Sequence, residues 1–411
     1  MNSNILLVIS SVWPEPNSSA AGSRILQLIE IYKKLNYKVI YASTAQESKF
    51  MSNLDELNIV GVQVEMNSSS FDYFIKDLKP NIVLFDRFIV EEQFGWRVTL
   101  NSPDSFLMLD TEDLHFLRKD RQEALKKNKE LDSSHIDSDI AKREIASIFR
   151  CDLTLIISEY ELQYLQENFK IPFYLLFYIP LFIKEEKNLR LPNYKDRSDF
   201  VFIGNFLHEP NYDAVLYIKN TIWPIIRSKK KDAIIKIYGA YPSKKVLQLN
   251  NDKEGFLVLG RAQSSLEIIS NARIMLAPIR FGAGIKGKLL EAMQYGTPSI
   301  TTKIGAEGMN ADFDWNGFIS DNPNEFANEA IIIYDDFSRW KIAQENGFKI
   351  IKSRFLKNRF EENFINLFNK LVNNLKEHRK KNFIGAMLKH HLLKSNEYMS
   401  KWIEEKNKFK N

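Results

Sequence analysis

The chain has 411 residues, of which 44% are hydrophobic and 27% are charged, and it carries a net charge of +5 and a single cysteine. This length exceeds a typical domain of roughly 100–200 residues, so we expect two domains with an appendage. One cysteine excludes an internal disulfide and favours a reducing compartment, and the lack of any apolar run of about 18 residues argues against a transmembrane helix.

The first half of the chain alternates short apolar runs with longer amphipathic stretches. Its N-terminal run is predicted to be a strand and not a signal peptide. We predict strands at 5–10, 38–42, 60–65, 82–85, 106–109 and 153–157. Apolar residues recur at helical spacing over 22–35, and the charged stretch 114–149 predicts a hairpin of two helices. The alternation predicts a parallel sheet with both faces covered.

The pattern loosens over 171–193, where three prolines predict an interdomain linker, and then restarts. In the second half we predict strands at 200–203, 234–238, 256–259, 274–277 and 299–301, and helices at 213–227, 264–270, 287–295 and 323–334. The resulting units are an N-terminal Rossmann-like domain at 1–180, a linker at 181–196, a C-terminal Rossmann-like domain at 197–360 and a basic helical tail at 361–411.

The tail carries the excess charge of the chain. It has 11 Lys and Arg against 6 Asp and Glu, whereas residues 1–360 sum to zero. Basic and apolar residues interleave over 376–394, which is typical of an amphipathic helix that lies on an anionic membrane surface. The same pattern also fits a helix that packs against the body of the protein or against a partner. The neutral body argues against nucleic-acid binding.

Ligands of open α/β sheets bind at the carboxyl ends of the strands, so the strand-to-helix junctions hold the candidate sites. The strongest junction follows the strand at 274–277. It contains Gly282, Gly284 and Gly287, which let the backbone approach a ligand closely. A helix that begins near Gly287 would present its free N–H groups and its dipole to a phosphate.

Charged side chains add to this junction. Lys286 and Lys288 bring positive charge, and Arg280 is a further candidate. Glu291 lies one helical turn beyond Lys288, where a carboxylate suits a pair of ribose hydroxyls. A Gly-rich turn with a solvated basic face is the alternative interpretation.

A second junction ends the strand at 200–203 with Gly204 and Asn205. Gly204 is well placed to admit a phosphate or a sugar. We expect Asn211 or Asp213 to cap the helix that follows, because Asn and Asp are favoured at helix N-termini.

Two junctions lie in the first half. After the first strand, a polar loop leads to Gly22 and Arg24, and Arg24 is either an anion contact or a surface arginine. Among the residues after the strand at 106–109, we single out Asp110, Asp113, His115 and Arg118. A carboxylate and an imidazole together can orient or deprotonate a hydroxyl, although a lone histidine is more often structural. The spacing is no zinc signature.

Three segments carry a combined signal. They read FGAGIKGKLLEAMQYGTPSITTKIGAEGM at 281–309, FIGNFLHEPNYDAV at 202–215 and CDLTLIISEYE at 151–161. Together they resemble glycosyltransferases of family 4, namely the donor-site core, the opening of the C-terminal domain and the strand that closes the N-terminal domain. The resemblance covers about residues 4–360. It implies the α/β GT-B fold, two Rossmann-like domains facing a cleft, with a helical C-terminal extension.

The resemblance implies a nucleoside-diphosphate sugar bound in the C-terminal domain. The implied donor-binding residues are Gly204, Asn205, Gly239, Arg261, Arg280, Gly284, Ile285, Lys286, Lys288 and Glu291. Glu291 falls where the family binds ribose, and Lys286 or Lys288 would contact the diphosphate. The implied catalytic residues are Asp113, His115 and Lys286. His115 falls near the group that contacts the transferred sugar, and Gly22 lies near the reacting centre.

One position departs from the family pattern. Many members carry a first glutamate eight residues before the ribose-binding one, where this chain has Ala283. A subgroup with Gly-x-Gly-x-Lys-x-Lys in this loop also lacks that glutamate. The departure concerns the sugar end of the site, and the expectation of donor binding does not depend on it.

These features predict transfer of a hexose-like sugar to a hydroxyl of a glycan, a lipid-linked acceptor or a protein, in bacterial surface-glycan synthesis. The family resemblance implies that the anomeric configuration is retained. Lysines and a helix N-terminus would stabilise the departing diphosphate, so no metal and no cofactor besides the donor substrate is expected. The expected location is cytoplasmic, or peripheral at the inner face of the plasma membrane. The alternatives are a sugar-nucleotide epimerase of the same fold and a non-catalytic GT-B partner protein that stabilises another transferase.

Overall fold

The structure, a computed structural model, describes residues 4–129, 136–184 and 190–390, together with Tyr398 and Trp402. Over these residues the chain forms two parallel β-sheets, one in each half, with helices on their faces. The predicted doubly covered parallel sheets are confirmed.

The first sheet has seven strands in the order β3-β2-β1-β4-β5-β6-β7. They are β1 (Ile5–Ser10), β2 (Lys38–Ser43), β3 (Ile59–Gln63), β4 (Ile82–Asp86), β5 (Phe106–Asp110), β6 (Leu153–Ile156) and β7 (Leu176–Tyr178). Alternate residues of β1 enter opposite cores, Leu7 and Ile9 one and Leu6 and Val8 the other. Because both faces are covered, the central strands read as uninterrupted apolar runs.

The second sheet has six strands in the order β10-β9-β8-β11-β12-β13. They are β8 (Ser198–Ile203), β9 (Ile235–Tyr238), β10 (Phe256–Gly260), β11 (Ala272–Ala277), β12 (Ser299–Thr301) and β13 (Gly317–Ile319). The strand order reverses between β1 and β4 in the first sheet and between β8 and β11 in the second. Such reversals open a crevice at the carboxyl ends of the strands.

Helices connect the strands in both halves. The first half contains α1 (Ala20–Lys34), α2 (Ser70–Leu78), α3 (Phe88–Asn101), α4 (His115–Lys126), α5 (Asp139–Arg150) and α6 (Glu159–Phe169). The second half contains α7 (Glu209–Tyr217), α8 (Trp223–Lys229), α9 (Lys244–Leu247), α10 (Ser265–Asn271), α11 (Gly287–Gln294), α12 (Lys303–Ala306), α13 (Pro323–Asp335) and α14 (Phe337–Ile350). The Ser19 hydroxyl caps α1 by accepting from the Gly22 N–H.

All eleven predicted strands are present, within two residues at each end. Two three-residue strands, β7 and β13, were not predicted, and β7 falls in the stretch 171–193 that was interpreted as an interdomain linker. The predicted cap at Asn211 or Asp213 is wrong, since both residues lie inside α7 and His208 precedes its first turn. The helix predicted at 213–227 begins earlier and is interrupted by a π-helical turn, Ile218–Ile222.

The C-terminal helices return to the first sheet. They are α15 (Asn358–Asn373), α16 (Leu375–Lys381) and α17 (Phe383–Lys389). Phe364 and Phe368 of α15 enter the core on one face of the first sheet, and Nε2 of His378 lies 2.7 Å from the carbonyl oxygen of Asp152. The described part of the tail is therefore packed on the N-terminal unit.

The predicted membrane segment, 376–394, extends past the described stretch at its last four residues. Its described part forms α16 and α17. Across the described ranges, no helix has the length and the apolar content needed to cross a bilayer.

Candidate functional site

A cavity of about 810 Å³ lies between the two sheets. Its walls come from the loops that follow β1, β2, β4 and β5 on one side and β8, β9, β10 and β11 on the other. Both strand-order reversals therefore open onto the same space. This is the position at which open α/β sheets bind their ligands.

The Gly-rich loop between β11 and α11 crosses the floor of the cavity. Gly284 has φ 65°, and a Cβ at this residue would lie 2.9 Å from the Cβ of Asp113 on the opposite unit. A Cβ at Gly287 would lie 2.7 Å from the Cβ of Ala20. Two of the three predicted glycines thus allow the loop to meet the N-terminal unit closely.

Lys288 and Glu291 lie together at the start of α11. The Lys288 ammonium donates to Oδ1 of Asn211, and Oε1 of Glu291 accepts from the Ser265 hydroxyl at 2.8 Å. Burial lowers the pKa of Lys288 to about 7, although the Glu291 carboxylate opposes that shift. Burial raises the pKa of Glu291. A ligand anion and a pair of hydroxyls would restore the charged forms of both groups.

Two glycines at the back of the cavity leave room for these groups. A Cβ at Gly204 would lie 2.7 Å from Cγ of Asn211 and 2.9 Å from Nζ of Lys288. A Cβ at Gly239 would lie 2.1 Å from the carbonyl oxygen of Gly204. A larger residue at Gly239 would therefore require a backbone shift, and one at Gly204 would displace the side chains of Asn211 and Lys288.

Lys286 faces the N-terminal wall of the cavity. It is 9% exposed, and its ammonium donates to the carbonyl oxygen of Gly284 at 2.9 Å. Burial places its pKa below the usual lysine range, while the carboxylates of Glu307 and Glu161 act against that shift. Lys286 therefore lies between the Gly-rich loop and the opposite unit.

The predicted donor-binding residues separate into two groups. Those that line the cavity are Gly204, Asn205, Gly239, Arg261, Ile285, Lys286, Lys288 and Glu291. Arg280 and Gly284 are not among the lining residues. The Arg280 guanidinium instead pairs with Asp213, with Nε 2.9 Å from Oδ2.

The outer end of the cavity is bridged by residues from both units. The Tyr241 hydroxyl lies 2.8 Å from both carboxylate oxygens of Glu15. Arg261 donates to the Ser18 hydroxyl at 2.8 Å and stacks on Phe50, with 3.8 Å between the guanidinium carbon and the ring centroid. Hydrogen bonds to Ser48, Ser18 and Tyr241 lower the pKa of Glu15 in spite of its partial burial.

On the N-terminal wall, the turn after β5 holds Asp113 and His115. Asp113 pairs with Arg118, and that cation together with His115 holds the pKa of Asp113 below its ordinary value. Nδ1 of His115 lies 3.4 Å from Oδ1 of Asp113. The backbone N–H of His115 donates to Glu144 at 3.1 Å. The structure thus brings the two predicted catalytic residues of this wall together in the cavity.

Gly22 and Arg24 lie outside the lining of the cavity. Arg24 is 1% exposed and makes two hydrogen bonds of 2.8 and 2.9 Å to Oδ1 of Asp110. Arg24 is therefore not a surface arginine, and it does not face a ligand anion, because its guanidinium is paired with the buried Asp110 carboxylate. Gly22 lets α1 approach the preceding loop, since its Cβ would lie 2.4 Å from the carbonyl carbon of Glu15.

Sequence reasoning missed several residues at the unit boundary. Oε1 of Glu161 accepts from the backbone N–H of Leu114 at 2.9 Å and of Gly284 at 2.8 Å, joining the two units. Arg121 donates to Glu307 through two bonds of 2.8 Å and to the Gly282 carbonyl at 2.7 Å. The contacts between the units join positions more than 100 residues apart, and no local pattern predicts them.

Two further missed residues line the cavity, His208 and Glu112. His208 is exposed, and the nearby Arg118 cation acts to lower its pKa. Glu112 lies between Asp110 and Asp113, which were both predicted as candidates, and this position in the sequence could have identified it. Within the described ranges, no set of three His, Cys, Asp or Glu side chains is placed to share a metal ion.

Comparisons with known proteins find similarity to glycosyltransferases. The family model for Glycosyl transferases group 1 matches residues 197–336, about a third of the chain. An uncharacterized 44.6 kDa protein in the cps region of Klebsiella pneumoniae is 23% identical over 192 residues. That match spans 42% of this chain and only 50% of the relative.

Similar solved structures cover nearly the whole chain. A glycosyltransferase from Rickettsia africae superposes with a TM-score of 0.64 at 13% identity, covering 91% of this chain and 100% of that one. TarM superposes with a TM-score of 0.67 at 10% identity, over 90% and 99% of the two chains. HepE of Anabaena, in complex with UDP and glucose, has a TM-score of 0.64 at 14% identity over 90% and 100%. The chain therefore has the GT-B fold, two Rossmann-like sheets facing a cleft, and its second unit resembles the glycosyl transferases of group 1.

Proposed function

We propose that this protein transfers a sugar from a nucleoside-diphosphate sugar to a hydroxyl group of an acceptor. The observation that carries the proposal is the position of Lys288 and Glu291 side by side near the N-terminal end of α11, inside the cavity between the two sheets. A cation at a helix N-terminus suits a diphosphate, and a carboxylate further along the same helix suits ribose hydroxyls.

The donor would lie along the second unit. The phosphates would lie beside Lys288, where Gly204 and Gly239 line the cavity. Arg261 lies at the outer end, near the expected place of the base. UDP is the first nucleotide to test, because the similar structure of HepE holds UDP and glucose.

We propose a reaction with retention of configuration and without a metal ion. The main chemical task is then to stabilise the departing diphosphate. The helix N-terminus and Lys288 supply that stabilisation, with Lys286 beside them at the Gly-rich loop. Contacts between the units, such as Arg121 with Glu307, hold the two walls of the cavity together.

A glycan is the proposed acceptor, in the assembly of a bacterial surface polysaccharide in the cytoplasm. Support comes from the similar protein in a cps region of Klebsiella pneumoniae. The acceptor is either free, lipid-linked or carried by a protein, and the N-terminal wall with Asp113 and His115 would receive it.

A membrane-linked acceptor would suit a surface formed by α17. Phe383, Ile384 and Met387 are 72%, 46% and 53% exposed, and Lys380 and Lys381 precede them. We propose that this surface rests on an anionic bilayer. Replacing the three apolar residues by serine should abolish co-flotation with phosphatidylglycerol vesicles, and unchanged flotation would refute the contact. Removing all residues after 375 is a poorer test, because Arg379 of α16 pairs with the buried Asp152.

Two alternatives retain the fold. A sugar-nucleotide epimerase would release no free nucleoside diphosphate during turnover with an acceptor. A non-catalytic partner protein would neither hydrolyse nor transfer a donor on its own, and the Ala283 substitution is its only support.

A melting-temperature screen against UDP-, GDP-, dTDP- and CMP-sugars tests the proposal. A ligand at 100 times its dissociation constant stabilises the native state by about 2.7 kcal/mol, which is readily measured. We expect one nucleotide class to raise the melting temperature of the wild-type protein, and to raise that of Glu291→Ala much less. No shift with any nucleotide sugar would contradict the proposal.

A further inference from the structure

Glu112 has an unusual backbone conformation at the edge of the cavity. It follows β5 and has φ 61°, in the left-handed region of backbone conformation that residues other than Gly and Asn rarely adopt. Arg87, which follows the neighbouring strand β4, has φ 74° and lines the same cavity. Such conformations persist only where the surroundings enforce them, and they concentrate at functional sites.

The Glu112 side chain is also incompletely satisfied. Its Oε1 atom is buried and has no hydrogen-bond partner among the described residues, although the residue lines the cavity. The nearby arginines are used elsewhere. Arg24 binds Asp110 through three hydrogen bonds of 2.8–2.9 Å, and Arg87 pairs with Asp86 at 3.0 Å. A buried oxygen without a partner costs free energy unless a ligand satisfies it.

The surroundings of Glu112 favour the protonated form of its carboxyl group. Burial raises the pKa of Glu112 well above its ordinary value, and the carboxylates of Asp110 and Asp86 act in the same direction. The Arg87 and Arg24 cations oppose them without cancelling the effect. A neutral carboxyl group both donates and accepts a hydrogen bond, which suits a sugar hydroxyl.

Glu112 is next to the Gly-rich loop of the other unit. A Cβ at Gly284 would lie 3.1 Å from the carbonyl oxygen of Glu112. The turn after β5 therefore touches the loop that leads into the donor helix. A group bound to Glu112 would lie at the boundary between the acceptor wall and the donor wall.

We propose that Glu112 binds the acceptor hydroxyl that attacks the donor sugar. This role rests on the proposed function of the cavity. The hydroxyl oxygen forms a bond to the anomeric carbon, and the bond from that carbon to the diphosphate oxygen breaks. The hydroxyl proton leaves with the diphosphate, so Glu112 holds the hydroxyl in place and takes up no proton.

Water is the smallest acceptor, so slow hydrolysis of the donor reports on this role without knowledge of the natural acceptor. The probe is UDP-glucose, and the readouts are the rate of UDP release and the affinity for UDP by calorimetry. We expect Glu112→Ala and Glu112→Gly to release UDP at least 10-fold more slowly than wild type. Glu112→Gln, which resembles the neutral carboxyl group, should stay within threefold. The affinity for UDP should change less than twofold in all three.

The Gly variant provides a second readout. Glycine adopts the left-handed backbone conformation without strain. The melting temperature of this variant should therefore be between 0 and about 2 °C above that of wild type, although its activity falls. Lys79→Gly is the matched control, because Lys79 is exposed with φ 46° and lies outside the cavity lining. It should gain similar stability and release UDP at the wild-type rate.

The outcomes separate the two proposals. Wild-type protein that binds no UDP would overturn the proposed donor and, with it, this role. Wild-type protein that binds UDP, together with a Glu112→Ala variant that releases UDP as fast as wild type, would overturn the role of Glu112 alone. Wild-type protein that binds UDP without hydrolysing UDP-glucose would also contradict the role, because a water beside Glu112 should attack.

Discussion

At the scale of single residues, the donor end of the cavity depends on Lys288 and Glu291. The spacing of these residues on a helix after a Gly-rich loop could be predicted from the sequence, because it is local. Their pKa shifts could not, since these arise from burial beneath residues distant in the chain. Arg24 shows the same limit, because its partner Asp110 lies 86 positions away.

The lowered pKa of Lys288 predicts that nucleotide binding takes up a proton. Since burial lowers this pKa to about 7, the amine is mostly neutral at pH 8, and a bound diphosphate would restore its charge. Calorimetry of UDP binding at pH 8 in buffers of different ionisation heat should show uptake approaching one proton, and the affinity should fall as the pH rises from 7 to 9. Lys288→Gln should remove most of the proton uptake. Lys303 is exposed, so Lys303→Gln should leave the uptake unchanged. Equal proton uptake in both variants would contradict the assignment.

At the scale of elements, eleven of the thirteen strands in the described residues were predictable from their apolar runs, and the loops after them from Gly and polar residues. The start of α7 could not be predicted, because Asn211 is a favourable helix-capping residue. In the structure its side-chain oxygen instead accepts a hydrogen bond from the Lys288 ammonium. The Gly-rich loop shows a further limit. Its glycines suggested contact with a ligand, whereas Gly284 is required by contact with the N-terminal unit.

Gly284→Ala should therefore destabilise the protein more than Gly260→Ala. Both residues have positive φ, 65° and 73°, so an alanine strains the backbone equally, by about 1–2 kcal/mol. Only Gly284 faces a neighbour, because a Cβ at Gly260 meets nothing within 4 Å. Denaturant unfolding should show an additional loss of about 1–3 kcal/mol for Gly284→Ala. Equal losses would mean that the two units do not meet at this loop in solution.

At the scale of the whole molecule, two Rossmann-like units face each other across a cleft, and the chain returns to the first unit at its end. The two-unit organisation followed from length and from the restart of strand–helix alternation. The packing of α15 did not, because its apolar face fits a partner or a membrane equally well in the sequence. The structure shows Phe368 inside the first unit, edge-on to Tyr32 and Phe106.

Phe368→Ala should consequently destabilise the N-terminal unit, although the residue lies near the end of the chain. Phe368 is 1% exposed, and the loss of such a ring costs about 3–5 kcal/mol. Phe383→Ala is the control, since that ring is 72% exposed and its loss should be nearly neutral. Thermal unfolding monitored by tryptophan fluorescence would compare them. A neutral Phe368→Ala would show that α15 is detached in solution.

The central claim is that the cavity binds a nucleoside diphosphate through Glu291, and calorimetry of UDP binding to the wild type and to Glu291→Ala tests it most directly. Loss of the hydrogen bonds that two ribose hydroxyls donate to a charged carboxylate costs about 2–3 kcal/mol, so the dissociation constant should rise about 30- to 150-fold. Glu267→Ala, on the exposed side of α10, should bind as the wild type does. Equal affinity of the wild type and Glu291→Ala for UDP would contradict the account.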